Sequence, residues 1–271
     1  MKEITDLNEI KTIQLDILRN VHDFCANNDL TYFLSHGTLI GALRHRGFIP
    51  WDDDIDIFMP REDYERFCML FPKSESELHL KLANADTKPF YGRAMSKVFD
   101  VRTRLVEPNY KGDDELGLNI DVWPLDGVPD NEKKRIRHLN RIKIYQKCLY
   151  GHILKFDSCE GFLQKLVHII MLPIPTKFII RRINCRLMRY RYSDSTVVTC
   201  AVDPYKKSYK KEWFARGVLT PFENAKVYIP NGAVEILEEI YGEYMVLPPE
   251  DQRKPHHNIK AFWRDEILEK S

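Results

Sequence analysis

The chain has 271 residues, of which 44% are hydrophobic and 30% are charged, so it is long enough to bury a sizeable core. Its 41 lysine and arginine residues nearly balance 40 aspartate and glutamate residues, and the net charge of +1 argues against nucleic acid as a partner. The six cysteines form no C-x-x-C pair, which argues against a zinc knuckle or a disulfide scaffold. With no apolar leader and no apolar run of about 20 residues, the sequence predicts a cytoplasmic protein.

Helical and strand-like patterns alternate along the front of the chain. Helical spacing of apolar residues from Ile10 to Phe24, behind a cap at Asp6, predicts a first helix that runs until residues 27–29. Helix start and stop signals predict further helices at residues 38–46, 61–71 and 231–241. Alternating or β-branched runs predict strands at residues 31–35, 54–59, 77–85, 93–100, 116–123, 195–202 and 225–230. Long helical patterns rich in Lys and Arg fill 131–192. This order predicts an α+β protein with a core at 1–130, a basic helical region at 131–195 and a C-terminal segment at 196–271 that packs back on the core.

Four aspartates crowd the start of the strand predicted at 54–59. In the run DDDIDI, Asp52, Asp53, Asp54 and Asp56 stand beside isoleucines, although like charges on a half-buried element repel one another and resist dehydration. If the run is extended, alternate residues share one face, with Cα atoms roughly 6.6 Å apart. Carboxylates at that spacing can converge on one hard cation, with oxygen–metal distances of about 2.1 Å for Mg²⁺. The pattern predicts a Mg²⁺ or Mn²⁺ site, and a solvated acidic turn is the alternative for the first two aspartates.

A third carboxylate is expected from a later strand. Asp121 lies inside the apolar run NIDVW, where it is either structural or functional, whereas Asp126 follows Pro124 and is predicted to begin a turn.

Upstream of the acids, Gly37 and Thr38 follow a strand and open a helix. Glycine lets backbone approach a ligand, and a helix N-terminus presents N–H groups to an anion. The threonine hydroxyl can add a donor or act as a plain N-cap.

These features occur inside longer strings that resemble the LicD family of phosphotransferases, which includes phosphocholine transferases and fukutin-type ribitol-phosphate transferases. The strings are HGTLIGALRHRGFIPWDDDIDIFMPREDYERF, KVFDVRTRL, NIDVWPLDGVPD and YGEYMVLPPEDQRKPHH, in the family's order. The resemblance implies a nucleotidyltransferase-like mixed sheet with flanking helices and a divalent metal. It also implies transfer of a phosphocholine-like or alditol-phosphate head group from a CDP-linked donor to a hydroxyl of a cell-surface glycan, such as lipopolysaccharide, teichoic acid or capsule.

The same resemblance assigns roles to individual residues. Asp54, Asp56 and Asp121 match the catalytic metal ligands, and Gly37 and Thr38 match the phosphate-contacting turn. Other matching positions are candidates for substrate contacts: Arg44, Lys97, Asp52, Asp53 and His256.

Two alternatives stay open at this point. A nucleotidyltransferase that moves a nucleoside monophosphate and releases pyrophosphate needs the same carboxylates, and a non-catalytic binding protein can share the fold. The basic apolar stretch at 162–192 also has two interpretations. It can contact an anionic membrane surface near a lipid-linked glycan, or it can pack on the core and leave its cations in solvent.

Overall fold

A mixed β-sheet forms the centre of the computed structural model, which describes residues 1–74, 79–88, 91–106, 116–156, 161–202, 207–255 and 260–265. The strands are β1 (Lys2–Ile4), β2 (Phe33–Leu34), β3 (Asp56–Pro60), β4 (Leu80–Ala83), β5 (Ser96–Asp100), β6 (Thr103–Val106), β7 (Asn119–Val128), β8 (Val197–Thr199), β9 (Ser208–Lys210), β10 (Gly217–Phe222), β11 (Ala225–Pro230) and β12 (Lys260–Trp263). The helices are α1 (Leu7–Asn27), α2 (His36–His45), α3 (Arg61–Leu70), α4 (Glu132–Ile153), α5 (Gly161–Met171), α6 (Thr176–Leu187) and α7 (Ala233–Tyr241).

The central sheet has the order β2-β3-β7-β5-β4, and β8 and β9 extend it from the far end of β7. The pair β3–β7 is parallel and the other pairs are antiparallel. Strands β10 and β11 form a hairpin, and β1, β12 and β6 form a small separate sheet. Mixed sheets with flanking helices confirm the α+β prediction.

Helix α1 shows how local sequence produces these elements. The Asp6 side chain caps it by accepting a hydrogen bond from the Asn8 backbone N–H at 2.9 Å. Ile10, Ile17 and Val21 recur on one face and are buried in the main apolar cluster. The helix therefore contributes one apolar stripe to the core and leaves its polar side in solvent.

The described residues of the basic helical region at 131–195 form three helices. Ile142 and Leu149 of α4 pack with Ile179 and Ile183 of α6 in a second apolar cluster. No described helix is both long enough and apolar enough to cross a membrane. Helices α5 and α6 meet that test only as a pair, and they are bent by 97° at the break between them.

Strand β7 differs from its predicted bounds. The strand continues through Pro124, which lies opposite Met59 of β3 in the parallel pair, and it ends at Val128. Asp126 therefore lies within the strand, and its prediction as the start of a turn is wrong. The reason is a buried ion pair: the Arg61 Nε and Nη2 atoms donate to the two Asp126 carboxylate oxygens at 2.6 and 2.8 Å.

Replacing Asp126 by alanine tests this ion pair. The change leaves buried Arg61 with only the half-exposed Glu65 carboxylate, at 3.0 Å, as an acidic partner among the described residues, so we expect the free energy of unfolding to fall by about 3–5 kcal/mol. Chemical denaturation measures the loss. Glu239→Ala, which breaks the exposed pair with Lys207, is the control and should cost less than about 1 kcal/mol. Equal losses in the two variants would contradict a stabilising role for the buried pair.

Candidate active site

Strand register brings three predicted residues to the same part of the central sheet. Asp56 on β3 lies directly opposite Asp121 on β7, and Lys97 on β5 lies directly opposite Asp121 on its other side. Residues directly opposite one another in neighbouring strands project from the same face of the sheet. The sheet thus places a carboxylate, a second carboxylate and an ammonium group in a row.

Asp52, Asp53 and Asp54 belong to the segment that leads into β3. The strand begins only at Asp56, and the Asp52 N–H donates to the Ile49 carbonyl at 3.0 Å in a turn. The three acids lie between this turn and β3, in a segment that is neither turn nor strand, so the predicted alternation of strand faces does not apply to them. One oxygen from each of the three carboxylates lies within 4.8 Å of the others. Asp52 and Asp53 are also buried, so water does not fully solvate these neighbouring like charges.

Burial and mutual repulsion favour the protonated form of two of these acids, Asp52 and Asp56. The pKa of Asp52 is raised to about 8, mainly by burial and then by the Asp54 carboxylate. The pKa of Asp56 is raised to about 7, again by burial first, followed by the charges of Asp54 and, more weakly, Asp121. The chain's own cations do not compensate these two carboxylates in full.

The start of α2 lies against the acids. The Thr38 hydroxyl oxygen accepts a hydrogen bond from the Asp56 backbone N–H at 2.9 Å, so this side chain helps to fix the beginning of β3. At Gly37 an added Cβ would lie 2.9 Å from an Asp52 carboxylate oxygen. Glycine is needed there because any side chain would force the carboxylate away. Contact of either residue with phosphate stays a prediction.

Two residues that sequence reasoning did not assign hold Asp56 in place. The Trp123 indole N–H donates to one Asp56 oxygen at 2.8 Å, and His36 Nδ1 lies 3.5 Å from the other. The His36 ring packs between Phe58 and Trp123, with centroid distances of 4.9 and 5.8 Å. Since Trp123 is two residues after Asp121 on one strand, the period of two would have placed both on one face.

Lys97 is buried, and its ammonium group donates to Asp121 Oδ1 at 2.6 Å and to Asn119 Oδ1 at 3.0 Å. Apolar neighbours on strand β5, which is buried along its whole length, explain why this lysine is buried. A direct contact between Lys97 and substrate stays a prediction.

Arg44 is held by the C-terminal segment. Its guanidinium donates to the Tyr244 carbonyl at 2.6 Å and to His45 Nε2 at 2.9 Å. Arg253 of the same segment contacts Trp51, the residue that precedes the acidic run in the sequence. The Arg253 guanidinium lies 5.7 Å from the centroid of the Trp51 ring. The predicted substrate residue His256 lies outside the described residues.

The donor set fits a hard divalent cation. Carboxylate oxygens are the ligands that Mg²⁺ and Mn²⁺ prefer, and oxygens within 4.8 Å of one another can share one ion. Asp54 belongs both to this cluster and to the predicted set with Asp56 and Asp121. A cation bound there would replace the protons that the raised pKa values retain.

Comparison with known proteins identifies the class of this core. Residues 29–150 match the family model described as "LicD/FKTN/FKRP, nucleotidyltransferase domain". That range contains all five clustered aspartates and Lys97. The core is a nucleotidyltransferase domain.

Relatives extend the match to nearly the whole chain. The chain is 34% identical over 281 aligned positions to "Lipopolysaccharide cholinephosphotransferase LicD" of Haemophilus influenzae. This alignment covers 97% of the present chain and 99% of that protein. It is 30% identical over 129 positions to "Mannosyltransferase regulator 4" of Saccharomyces cerevisiae, covering 45% of this chain and 10% of that protein. An uncharacterized protein of Rickettsia typhi is 37% identical over 68 positions, covering 25% of this chain and 22% of that protein. The chain belongs to the LicD family of phosphotransferases, which confirms the resemblance, and it is a transferase.

The raised pKa values predict how stability depends on pH in metal-free protein. Between about pH 4 and pH 8, Asp52 and Asp56 bind more protons in the folded chain than in the unfolded chain, so their contribution to the free energy of unfolding falls as pH rises. Each carboxyl contributes a slope of at most about 1.4 kcal/mol per pH unit. Urea denaturation with a chelator present measures the slope.

Asp52→Asn should make this slope shallower, whereas Asp23→Asn, at an exposed position on α1, should leave it unchanged. An identical slope in the wild type and Asp52→Asn would contradict the excess protonation of Asp52 in the folded chain.

Proposed function

We propose that the chain transfers a phosphocholine-like head group from a CDP-linked donor to a hydroxyl of a glycan, with a lipopolysaccharide as the leading acceptor. The observation that carries this proposal is the 34% identity, over nearly the full length of both chains, to a lipopolysaccharide cholinephosphotransferase. The acidic cluster supports it, because transfer from a diphosphate requires neutralisation of negative charge.

Asp54, Asp56 and Asp121 would hold a Mg²⁺ or Mn²⁺ ion. Asp56 and Asp121 are register neighbours on parallel strands, and Asp54, whose charge raises the Asp56 pKa, is two residues before Asp56 in the chain. When bound, the ion would neutralise the donor diphosphate and the charge that develops on the leaving nucleotide. Trp123 and His36 would keep the Asp56 carboxylate in one orientation for this task.

The proposed reaction breaks one P–O bond and forms another. The acceptor hydroxyl oxygen attacks the phosphorus that carries the head group, and the bond from this phosphorus to the bridging oxygen breaks, so that CMP leaves. The acceptor proton passes to Asp52, which would be a free carboxylate once a bound cation displaces the proton that its raised pKa retains. Asp121 is less suited to this role, because its Oδ1 atom accepts the hydrogen bond from Lys97.

The cationic and N–H groups around the acids would bind the donor. Gly37 and Thr38 open α2, whose N-terminus faces the acidic cluster and favours an anion. Lys97 and Arg44 are the candidate cations, and Lys97 would contact the donor while it remains bonded to Asp121. A lipid-linked glycan acceptor would place the enzyme at the inner face of a membrane, as a peripheral protein.

The released nucleotide tests the proposed reaction. Incubation of the protein with CDP-choline, Mg²⁺ and a lipopolysaccharide lacking phosphocholine should release CMP and raise the glycan mass by one phosphocholine group. Chromatography of the nucleotides and mass spectrometry of the glycan measure both products. Release of pyrophosphate from a nucleoside triphosphate, without CMP from CDP-choline, would support the nucleotidyltransferase alternative and overturn the proposal.

Asp54→Asn and Asp56→Asn test the metal ligands. We expect each to lower turnover by at least about 100-fold, since loss of groups that only orient a ligand already costs 10- to 100-fold. Both proteins should stay folded, because each change removes one of several repelling charges.

The matched control for these variants is Asp23→Asn, which removes an exposed carboxylate and should leave turnover unchanged. Calorimetric titration with Mn²⁺ provides a second measurement, and both metal-ligand variants should bind the ion more weakly than the control. Near-wild-type turnover in either variant would show that its carboxylate is not a required ligand.

A further inference from the structure

Helix α5 turns its apolar stripe towards solvent. Phe162 and Leu163 are 82% and 72% exposed, and three further apolar residues of the helix are also exposed: Leu166, Ile169 and Ile170. At 3.6 residues per turn these positions fall within a stripe about 120° wide. The opposite side of the helix carries the buried residues His168 and Met171. An amphipathic helix in a globular protein normally presents such a stripe to the core. The exposed stripe of α5 therefore indicates contact with an apolar partner outside the protein.

The stripe continues past the end of α5. Leu172 and Phe178 are each 51% exposed on either side of the 97° bend into α6. The Arg182 guanidinium lies 4.9 Å from the Phe178 ring centroid, so a cation sits beside the apolar surface. Arg181 and Arg182 are both exposed. Apolar and cationic groups therefore share this surface of the α5–α6 pair.

Charge is strongly segregated along the chain. Residues 133–192 contain 15 of the 41 lysine and arginine residues but only two of the 40 aspartate and glutamate residues. This region thus carries a net charge of +13, and the remainder of the chain carries −12. The overall charge of +1 conceals a basic region that includes α5 and α6.

This combination distinguishes among the possible occupants of the apolar face. A second copy of the chain meeting it symmetrically would bring two basic regions together, which electrostatic repulsion opposes. A nucleic acid would match the charge but would leave the apolar stripe without a partner. An anionic lipid bilayer matches both, since acyl chains accept the apolar side chains and head groups attract Lys and Arg.

We propose that α5 lies in the surface of an anionic bilayer, with Phe162, Leu163, Ile169 and Ile170 among the acyl chains and the arginines of α6 at the head groups. This surface would bring the enzyme to a lipid-linked acceptor, and in that respect it rests on the proposed function. Bilayer binding itself requires neither donor nor metal, so the two proposals can fail separately.

Vesicle flotation with the full chain tests the surface. Wild-type protein should float with vesicles containing equal parts of phosphatidylglycerol and phosphatidylcholine, and should bind pure phosphatidylcholine much more weakly. F162S/L163S and I169S/I170S should each lower binding roughly tenfold or more at both low and high salt, because they remove apolar anchors. R181E/R182E should lower binding by a similar factor, mainly at low salt, because salt screens exposed charges.

Two control variants carry the same chemical changes elsewhere. V218S/L219S removes an exposed apolar pair on β10, and K73E/K226E reverses two exposed lysines outside the basic region. Both should bind vesicles as the wild type does.

Unchanged binding of the two α5 variants, or absence of wild-type binding to the anionic vesicles, would overturn the proposal. Self-association of the wild type in solution that F162S/L163S abolishes would also overturn it, because a second copy would then cover the face. Transfer to a soluble acceptor by a chain that does not bind vesicles would leave the proposed function standing and remove only the bilayer surface.

Discussion

Repulsion among carboxylates at one part of the central sheet is the constraint on which the site depends. Three acidic side chains converge within 4.8 Å before β3, and Asp56 faces Asp121 across the parallel pair β3–β7. The surrounding chain fixes these groups without neutralising them all. Thr38 and Trp123 supply hydrogen bonds, and Lys97 supplies one positive charge. Burial first, and then the neighbouring carboxylates, raise the pKa values of Asp52 and Asp56, and a divalent cation is the ligand that such a cluster favours.

An arrangement of this kind needs a rigid scaffold, because nearby like charges would separate if the backbone could yield. The sheet provides one through the register that fixes Asp56, Asp121 and Lys97 side by side. The buried Arg61–Asp126 pair joins α3 to β7, the strand that also carries Asp121. Gly37 then lets the start of α2 approach Asp52 closely. Close packing therefore holds the unfavourable charge distribution in place until a ligand relieves it.

The two unusual charge distributions of the chain serve separate purposes in the proposed enzyme. In this proposal the acidic cluster would meet a small anionic donor by way of a cation, and the basic region between residues 133 and 192 would meet an anionic surface directly. Membership of the LicD family and the full-length similarity to a lipopolysaccharide cholinephosphotransferase are compatible with both tasks. An acceptor held at a bilayer would then meet a donor held in the nucleotidyltransferase domain, without a membrane-spanning helix among the described elements.

The sequence by itself determined the features that depend on local pattern. Helical periodicity predicted α1, the apolar run NIDVW singled out Asp121, and the family strings identified the acids as candidate ligands and Lys97 as a candidate substrate contact. Only the tertiary structure decided that Asp56 lies opposite Asp121, that Asp126 is buried against Arg61, and that the apolar stripe of α5 faces outwards. It also showed that Asp52, Asp53 and Asp54 precede the strand, so the alternation of a strand does not apply to them. The physical reason is that strand register, ion pairing and the direction of a helix face are set by contacts between residues distant in sequence, which a local pattern does not contain.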